Sequence, residues 1–278
     1  MKKTKFIILI FFVLLIPFLA LSYAAFLEPY YIEVKGVNLV SPDIPHSFDG
    51  KRIVFVSDIH NGAYFSRERV ADLATQINGL KPDMVIFGGD YAARDSRNTS
   101  LCFEELEKLQ APLGKYGVLG NHDYWAGGVE ALQAMNGAGI TPLDNSGLWI
   151  YSGSERIRLG GVSDFWHGAP DPIPTINAVN LSDYVILVSH NPDYAEELET
   201  RLVDIVLSGH THGGQVTLFG LWVPYMPSDY GQKYSGGFAK TAYTAVYVTR
   251  GIGMTFLPIR FFARPEITVL TLKSAQIS

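Results

Sequence analysis

An α/β fold is predicted for this 278-residue chain by three observations. Short apolar runs rich in β-branched residues alternate with segments whose apolar positions recur every three or four residues. Most of those short runs end in Asp, Asn or His, often beside glycine. The composition, 47% hydrophobic with 13% aromatic and 18% charged residues, supplies one large core and excludes a disordered chain.

The first element belongs to a different solvent. Phe6–Leu27 holds 22 residues without a charge, which at about 1.5 Å each would cross a bilayer core as a helix. Lys2, Lys3 and Lys5 precede it. This is the outline of an uncleaved anchor or a cleavable secretory signal, and its length favours the anchor. Both readings leave the lysines in the cytoplasm and the remaining chain outside. The expected division is residues 1–27 as anchor or signal, 28–50 as linker and first edge strand, and 51–278 as the folded domain. In the linker, Tyr30–Val40 alternates enough to form that strand.

The regular pattern begins at Arg52–Asp58, a buried strand. Ser66 is placed to cap a helix running to Leu80, with Val70, Leu73, Ile77 and Leu80 on one face. Asp83–Asp90 is a second buried strand. A helix over Leu101–Leu109, a strand at Tyr116–Gly120 and a helix near Val129–Met135 continue the alternation. The second half is richer in strands: Leu148–Tyr151, Ile157–Leu159, Tyr184–Ser189, Ile205–Gly209, Thr244–Thr249 and Ile267–Leu272. Asn191 and Pro192 are read as the start of a helix. The single cysteine, Cys102, forms no intramolecular disulfide and reads as a small core residue.

Setting aside Lys2, Lys3 and Lys5 leaves 19 of the 22 basic residues against 27 acidic ones, a net charge of −8. No basic stripe appears, which argues against nucleic acid as a partner.

Five strand ends carry the chemistry: Ser57–His60, Gly88–Asp90, Gly120–Asp123, Ser189–His190 and Gly209–Gly214. Five of the seven histidines, His60, His122, His190, His210 and His212, fall in these clusters. Loops beyond the carboxyl ends of strands in an α/β sheet share one crevice, so these pieces converge. Carboxylate, imidazole and amide ligands suit two divalent cations about 3.5–4 Å apart, which need one bridging carboxylate. Asp90, after two glycines, is the natural bridge.

Asp-x-His, Gly-Asp, Gly-Asn-His-Asp, His and Gly-His-x-His in this order resemble the calcineurin-like metallophosphoesterases, by motif over about residues 51–215. The resemblance implies a four-layer αββα sandwich of two mixed sheets flanked by helices. It implies that Asp58, His60 and His212 hold one metal and Asn121, His190 and His210 a second, with Asp90 shared. His122 becomes the general acid and Asp123 its orienting partner. Hydrolysis would use water activated between two divalent ions, with Mn²⁺ favoured and Fe or Zn²⁺ also suited.

Two apolar loops bear on the substrate: Thr217–Pro227, just after His212, and Gly253–Glu266. They read either as packing surfaces or as a rim for acyl chains or membrane, with Arg260 and Arg264 meeting phosphate or headgroups. Arg94, Arg97 and His167 lie on further loops that can reach a phosphate. The anchor and the carboxyl-terminal motifs resemble the bacterial membrane-associated branch of the family. That branch includes cell-envelope phosphodiesterases and UDP-diacylglucosamine pyrophosphate hydrolases of lipid A synthesis. The latter substrate is made on the cytoplasmic face, opposite to where the lysines place this domain. The preferred expectation is therefore a phosphodiesterase of a lipid-linked or envelope ester. The alternatives are the nucleotide-lipid hydrolase, a catalytically inert metal-binding scaffold, and a domain secreted or peripheral to the cytoplasmic face.

Overall fold

A computed structural model describes residues 2–93 and 95–275. Helix α1 (Lys2–Phe26) projects from the domain with nearly all of its apolar side chains exposed; Ala24 alone is buried. A soluble helix this apolar would bury one face, so α1 is long and apolar enough to cross a membrane.

The domain is two mixed six-stranded sheets. The first contains β1 (Glu33–Ser41), β2 (Arg52–Val56), β3 (Met84–Phe87), β4 (Lys115–Gly117), β5 (Thr141–Pro142) and β12 (Glu266–Ser274), in the order β1-β12-β2-β3-β4-β5. The second contains β6 (Ser146–Ser152), β7 (Glu155–Gly161), β8 (Val185–Val188), β9 (Ile205–Ser208), β10 (Gly237–Lys240) and β11 (Ala245–Val248), in the order β10-β11-β9-β8-β7-β6. Strands β2, β3, β4 and β5 are parallel, as are β7, β8, β9 and β11.

The period of two along a strand divides the core. In β2, Ile53 and Phe55 enter the layer between the sheets, whereas Val54 and Val56 pack under the helices. In β8, Ile186 and Val188 face the same inter-sheet layer, while Val185 and Leu187 face outward. Helices α2 (Arg67–Gly79), α3 (Ser96–Leu106) and α4 (Asn121–Gly137) cover the first sheet, with Val70, Leu73, Ile77 and Cys102 buried there. The second sheet's outer layer is thinner, formed by a four-residue helix at Ile173–Ile176 and short 3₁₀ turns. This is the expected αββα sandwich.

Two expectations are corrected. The helix expected after Asn191 is a single 3₁₀ turn, Pro192–Glu196, in which the Asn191 side chain accepts from the Asp193 N–H at 3.0 Å. Tyr194 and Ala195 in the turn and Leu198 just after it make its apolar contact, among charged residues. Conversely, α4 starts at Asn121, well before Val129. Asp123 caps it by accepting from the Gly120 N–H at 2.9 Å, and Gly127 (φ 120°) bends it without ending it.

Candidate metal centre and active site

The carboxyl ends of β2, β3, β8 and β9 and the start of α4 bring Asp58, His60, Asp90, Asn121, His190, His210 and His212 into one buried cluster. Five of these seven stand in the left-handed backbone region: Asp58 (φ 56°), His60 (48°), Asp90 (57°), His210 (67°) and His212 (53°). Such conformations cost roughly 1–3 kcal/mol each and persist where the surrounding fold imposes them. The glycines act by absence of bulk. A Cβ on Gly120 would lie 2.7 Å from His190 Cε1, and one on Gly209 would collide with the Asp58 carboxylate.

The donor atoms fall into two groups sharing one residue. His60 Nε2 lies 3.0 Å from His212 Nε2, which lies 3.4 Å from Asp58 Oδ1. Asn121 Oδ1 lies 3.2 Å from His190 Nε2 and 3.1 Å from His210 Nδ1, and those two nitrogens are 3.3 Å apart. Asp90 Oδ2 is 3.5 Å from His60 Nε2 and 3.4 Å from His190 Nε2, so one carboxylate oxygen reaches both groups. Donors bonded at about 2.1 Å to one ion sit roughly 3.0–3.4 Å apart, so these spacings match edges of two coordination shells.

The protonation chemistry fits the same conclusion. Burial holds His60 and His210 down to about 3 and His212 well below its ordinary range, so three imidazoles are neutral with lone pairs available. Burial also opposes charge on His190, but the Asp90 carboxylate outweighs it and lifts His190 to about 10. Burial lifts Asp58 to about 6. Four imidazoles, two carboxylates and an amide aimed at common points, mostly uncharged on the imidazole side, suit cations. Around them, His190 Nδ1 lies 2.7 Å from the Gly88 carbonyl; donation there leaves Nε2 free of its proton once a cation displaces it.

Asp123 accepts from the N–H groups of Asp90 (2.8 Å), Tyr91 (2.9 Å) and Gly120 (2.9 Å). It therefore fixes the β3 loop and the first turn of α4 together. The backbone N–H of His122 donates to Asp90 Oδ1 at 2.8 Å, and its ring packs edge-on against His60 at 4.6 Å between centroids.

A model of the calcineurin-like phosphoesterase family matches residues 51–214. The chain belongs to this family. It is 38% identical over 258 residues to the uncharacterized metallophosphoesterase YkuE of Bacillus subtilis, covering 91% of this chain and 90% of that protein. To the phosphodiesterase YaeI of Escherichia coli it is 31% identical over 228 residues, covering 80% and 82%. A transmembrane protein with metallophosphoesterase domain from Danio rerio is 31% identical over 258 residues, covering 87% of this chain and 58% of that one. Among solved structures, the NAD nucleotidase of Haemophilus influenzae superposes with a TM-score of 0.47 at 16% identity, over 73% of this chain and 45% of that one. As a metallophosphoesterase, the chain is a hydrolase of phosphoric esters.

The other expected contacts of this metallophosphoesterase separate. Arg260 is a correction: it is fully buried rather than on a rim. Its guanidinium donates to the carbonyls of Arg250, Gly253 and Ala263 and lies 3.4 Å from His212 Nδ1, behind the cluster. The loop doubles back here because its own backbone carbonyls satisfy the charged group. Arg264 is exposed but lies over Tyr31, near the end of α1. Arg97 is spent on Asp95 at the start of α3. Arg94 lies outside the described residues. His167 is exposed at the mouth, its ring 5.3 Å from Trp125, which packs 4.5 Å from His122. Trp166 sets its edge on His210 at 4.4 Å. Trp125 and Trp166 escaped sequence reasoning; their closeness to His122 and His167 in the sequence was the available signal.

Proposed function

We propose that this metallophosphoesterase is a membrane-anchored phosphodiesterase that cleaves a lipid-linked or cell-envelope phosphate ester on the extracytoplasmic side. The observation that carries the reading is the pair of donor groups meeting at Asp90 Oδ2. Asp58, His60 and His212 would hold one cation and Asn121, His190 and His210 the other, with Asp90 common to both. When bound, the ions would lower the pKa of water and neutralise charge building on the phosphate; Mn²⁺ is favoured, and Fe or Zn²⁺ suit the same donors.

The chain's own residues do the rest. His122, in the crevice wall with its backbone tied to Asp90, delivers a proton to the departing oxygen. Asp123 keeps that turn in register with the Asp90 loop. Trp125, Trp166 and His167 form an aromatic wall at the mouth. Lys2, Lys3 and Lys5 ahead of the apolar run support an extracytoplasmic domain, since flanking lysines favour the cytoplasmic side. The name of the E. coli relative supports a diesterase, and that of the Danio rerio relative supports the anchor.

The test uses full-length protein stripped of metal, reloaded with Mn²⁺ and given bis-p-nitrophenyl phosphate. Turnover that depends on Mn²⁺ is expected, and a loaded but inert protein overturns the enzyme reading. Protease added to intact cells should digest the domain; full protection would put it on the cytoplasmic face.

A further inference from the structure

Two cavities meet at Phe256. The first, about 250 Å³, is the crevice of the centre, lined by His60, Tyr64, His122, Met254 and Phe256. The second, about 510 Å³, shares Phe256 and is otherwise lined by Gln215, Val216, Pro224, Tyr225, Leu257 and Ile259, with no charged residue among the described residues that line it. The loop holding Phe256 is fastened on both flanks. The Gln215 side chain pairs with the Thr255 backbone, Nε2 to O at 2.8 Å and N to Oε1 at 2.7 Å. Phe261 donates its N–H to the Gln215 carbonyl at 2.8 Å. Phe256 itself stands at φ 59° and is 74% exposed, a left-handed conformation that a bulky side chain holds only under such constraint.

The second chamber also lies beside the membrane element. Arg260, next to Ile259, donates its N–H to the Ala24 carbonyl of α1 at 3.0 Å. Glu28, just beyond α1, is buried and accepts from the N–H groups of Phe262 (2.9 Å) and Ala263 (2.6 Å). The apolar chamber is thus set between the anchor's end and the crevice that contains His122.

We infer that this chamber binds the hydrocarbon chain of the ester being cleaved, with the phosphate at the Asp90 centre and Phe256 as the partition the chain crosses. The inference rests on the phosphodiesterase reading and specifies its substrate: a phosphodiester bearing an alkyl or acyl chain, entering from the anchor side. A predominantly apolar wall without charges among the described residues, of the size of small-ligand sites, gains from burying methylenes.

The test is a series of p-nitrophenyl alkyl phosphodiesters with methyl, butyl and octyl chains, hydrolysed by the full-length Mn²⁺-loaded protein in nanodiscs. KM is expected to fall at least tenfold from methyl to octyl, with kcat changing less than about twofold. Leu257→Asp and Ile259→Asp should bring the octyl-to-methyl ratio of kcat/KM to within twofold of one. A flat series, or a slope kept in both variants, overturns the inference while leaving the phosphodiesterase reading standing. A second readout needs neither turnover nor a variant: an octyl phosphate with a terminal diazirine, photolysed on the unmodified chain, should label the tryptic peptide Gly251–Arg260. Labelling of α1 alone would assign the chain to the bilayer and overturn the inference. If bis-p-nitrophenyl phosphate is not hydrolysed, the phosphodiesterase reading fails, and the labelling still decides what the chamber binds.

Discussion

The loops around Asp90 and the loops around Phe256 invert the burial rule in opposite directions. The first set hides polar and ionisable side chains: Asp58, Asp90, His190 and His212 are all within a few per cent of complete burial. The second set exposes apolar ones: Phe219 and Phe256 at 74%, Leu221 at 87% and Tyr225 at 70%. Both are strained. Of eleven non-glycine residues with positive φ among the described residues, five are Asp or His at the first site and three, Phe219, Phe256 and Phe262, are aromatics of the second. Buried ionisable donors must be compensated by hydrogen bonds, ion pairs or a cation, and exposed aromatics gain only when something apolar covers them.

The comparison breaks first at the shared carboxylate. Asp90→Asn should lower kcat/KM on bis-p-nitrophenyl phosphate by about 10³-fold or more and reduce bound Mn²⁺, read by elemental analysis, because one residue serves both donor groups. His122→Ala should keep its metal while kcat drops roughly 10²–10⁴-fold; wild-type turnover in that variant would refute a proton-transfer role. Arg260→Met should lower the unfolding free energy by about 3 kcal/mol in denaturant titration, since it strands several buried carbonyls behind His212.

Protons provide a finer test. With His190 lifted to about 10 beside Asp90, the metal-free site carries a proton on it at pH 8, and a cation must expel it. Calorimetric loading in buffers of different ionisation enthalpy should show His190→Asn releasing close to one proton fewer than the native chain. The same pair stabilises the metal-free fold below a pH of 6.5, and that contribution is lost as pH climbs through about 10. The smallest effect belongs to the second region: Leu221→Ser should change stability by under about 0.5 kcal/mol, since the side chain is solvated already.

The two regions also differ in how far they were legible in the sequence. Asp58, His60, Asp90 and His190 each end a short β-branched run, so local pattern and residue type alone located them. Parallel strands then carried them to one edge, as topology requires. Arg260 was misplaced because burying it takes a loop that folds its own carbonyls around the guanidinium and is tied in place by Glu28 and Ala24, more than 230 residues earlier in the chain. The aromatic wall of Trp125 and Trp166 needed the fold to bring the first turns of α4 and the loop after β7 together at the cluster. The early start of α4 is not visible in the apolar periodicity, which begins only near Val129, whereas Asp123 caps the helix from within the motif.

A dinuclear centre built around Asp90 is tested most directly by electron paramagnetic resonance of the Mn²⁺-loaded protein with a parallel metal count. Two Mn²⁺ per chain with a spin-coupled spectrum are predicted. One Mn²⁺ per chain, or an isolated six-line signal accounting for all the bound metal, would contradict it.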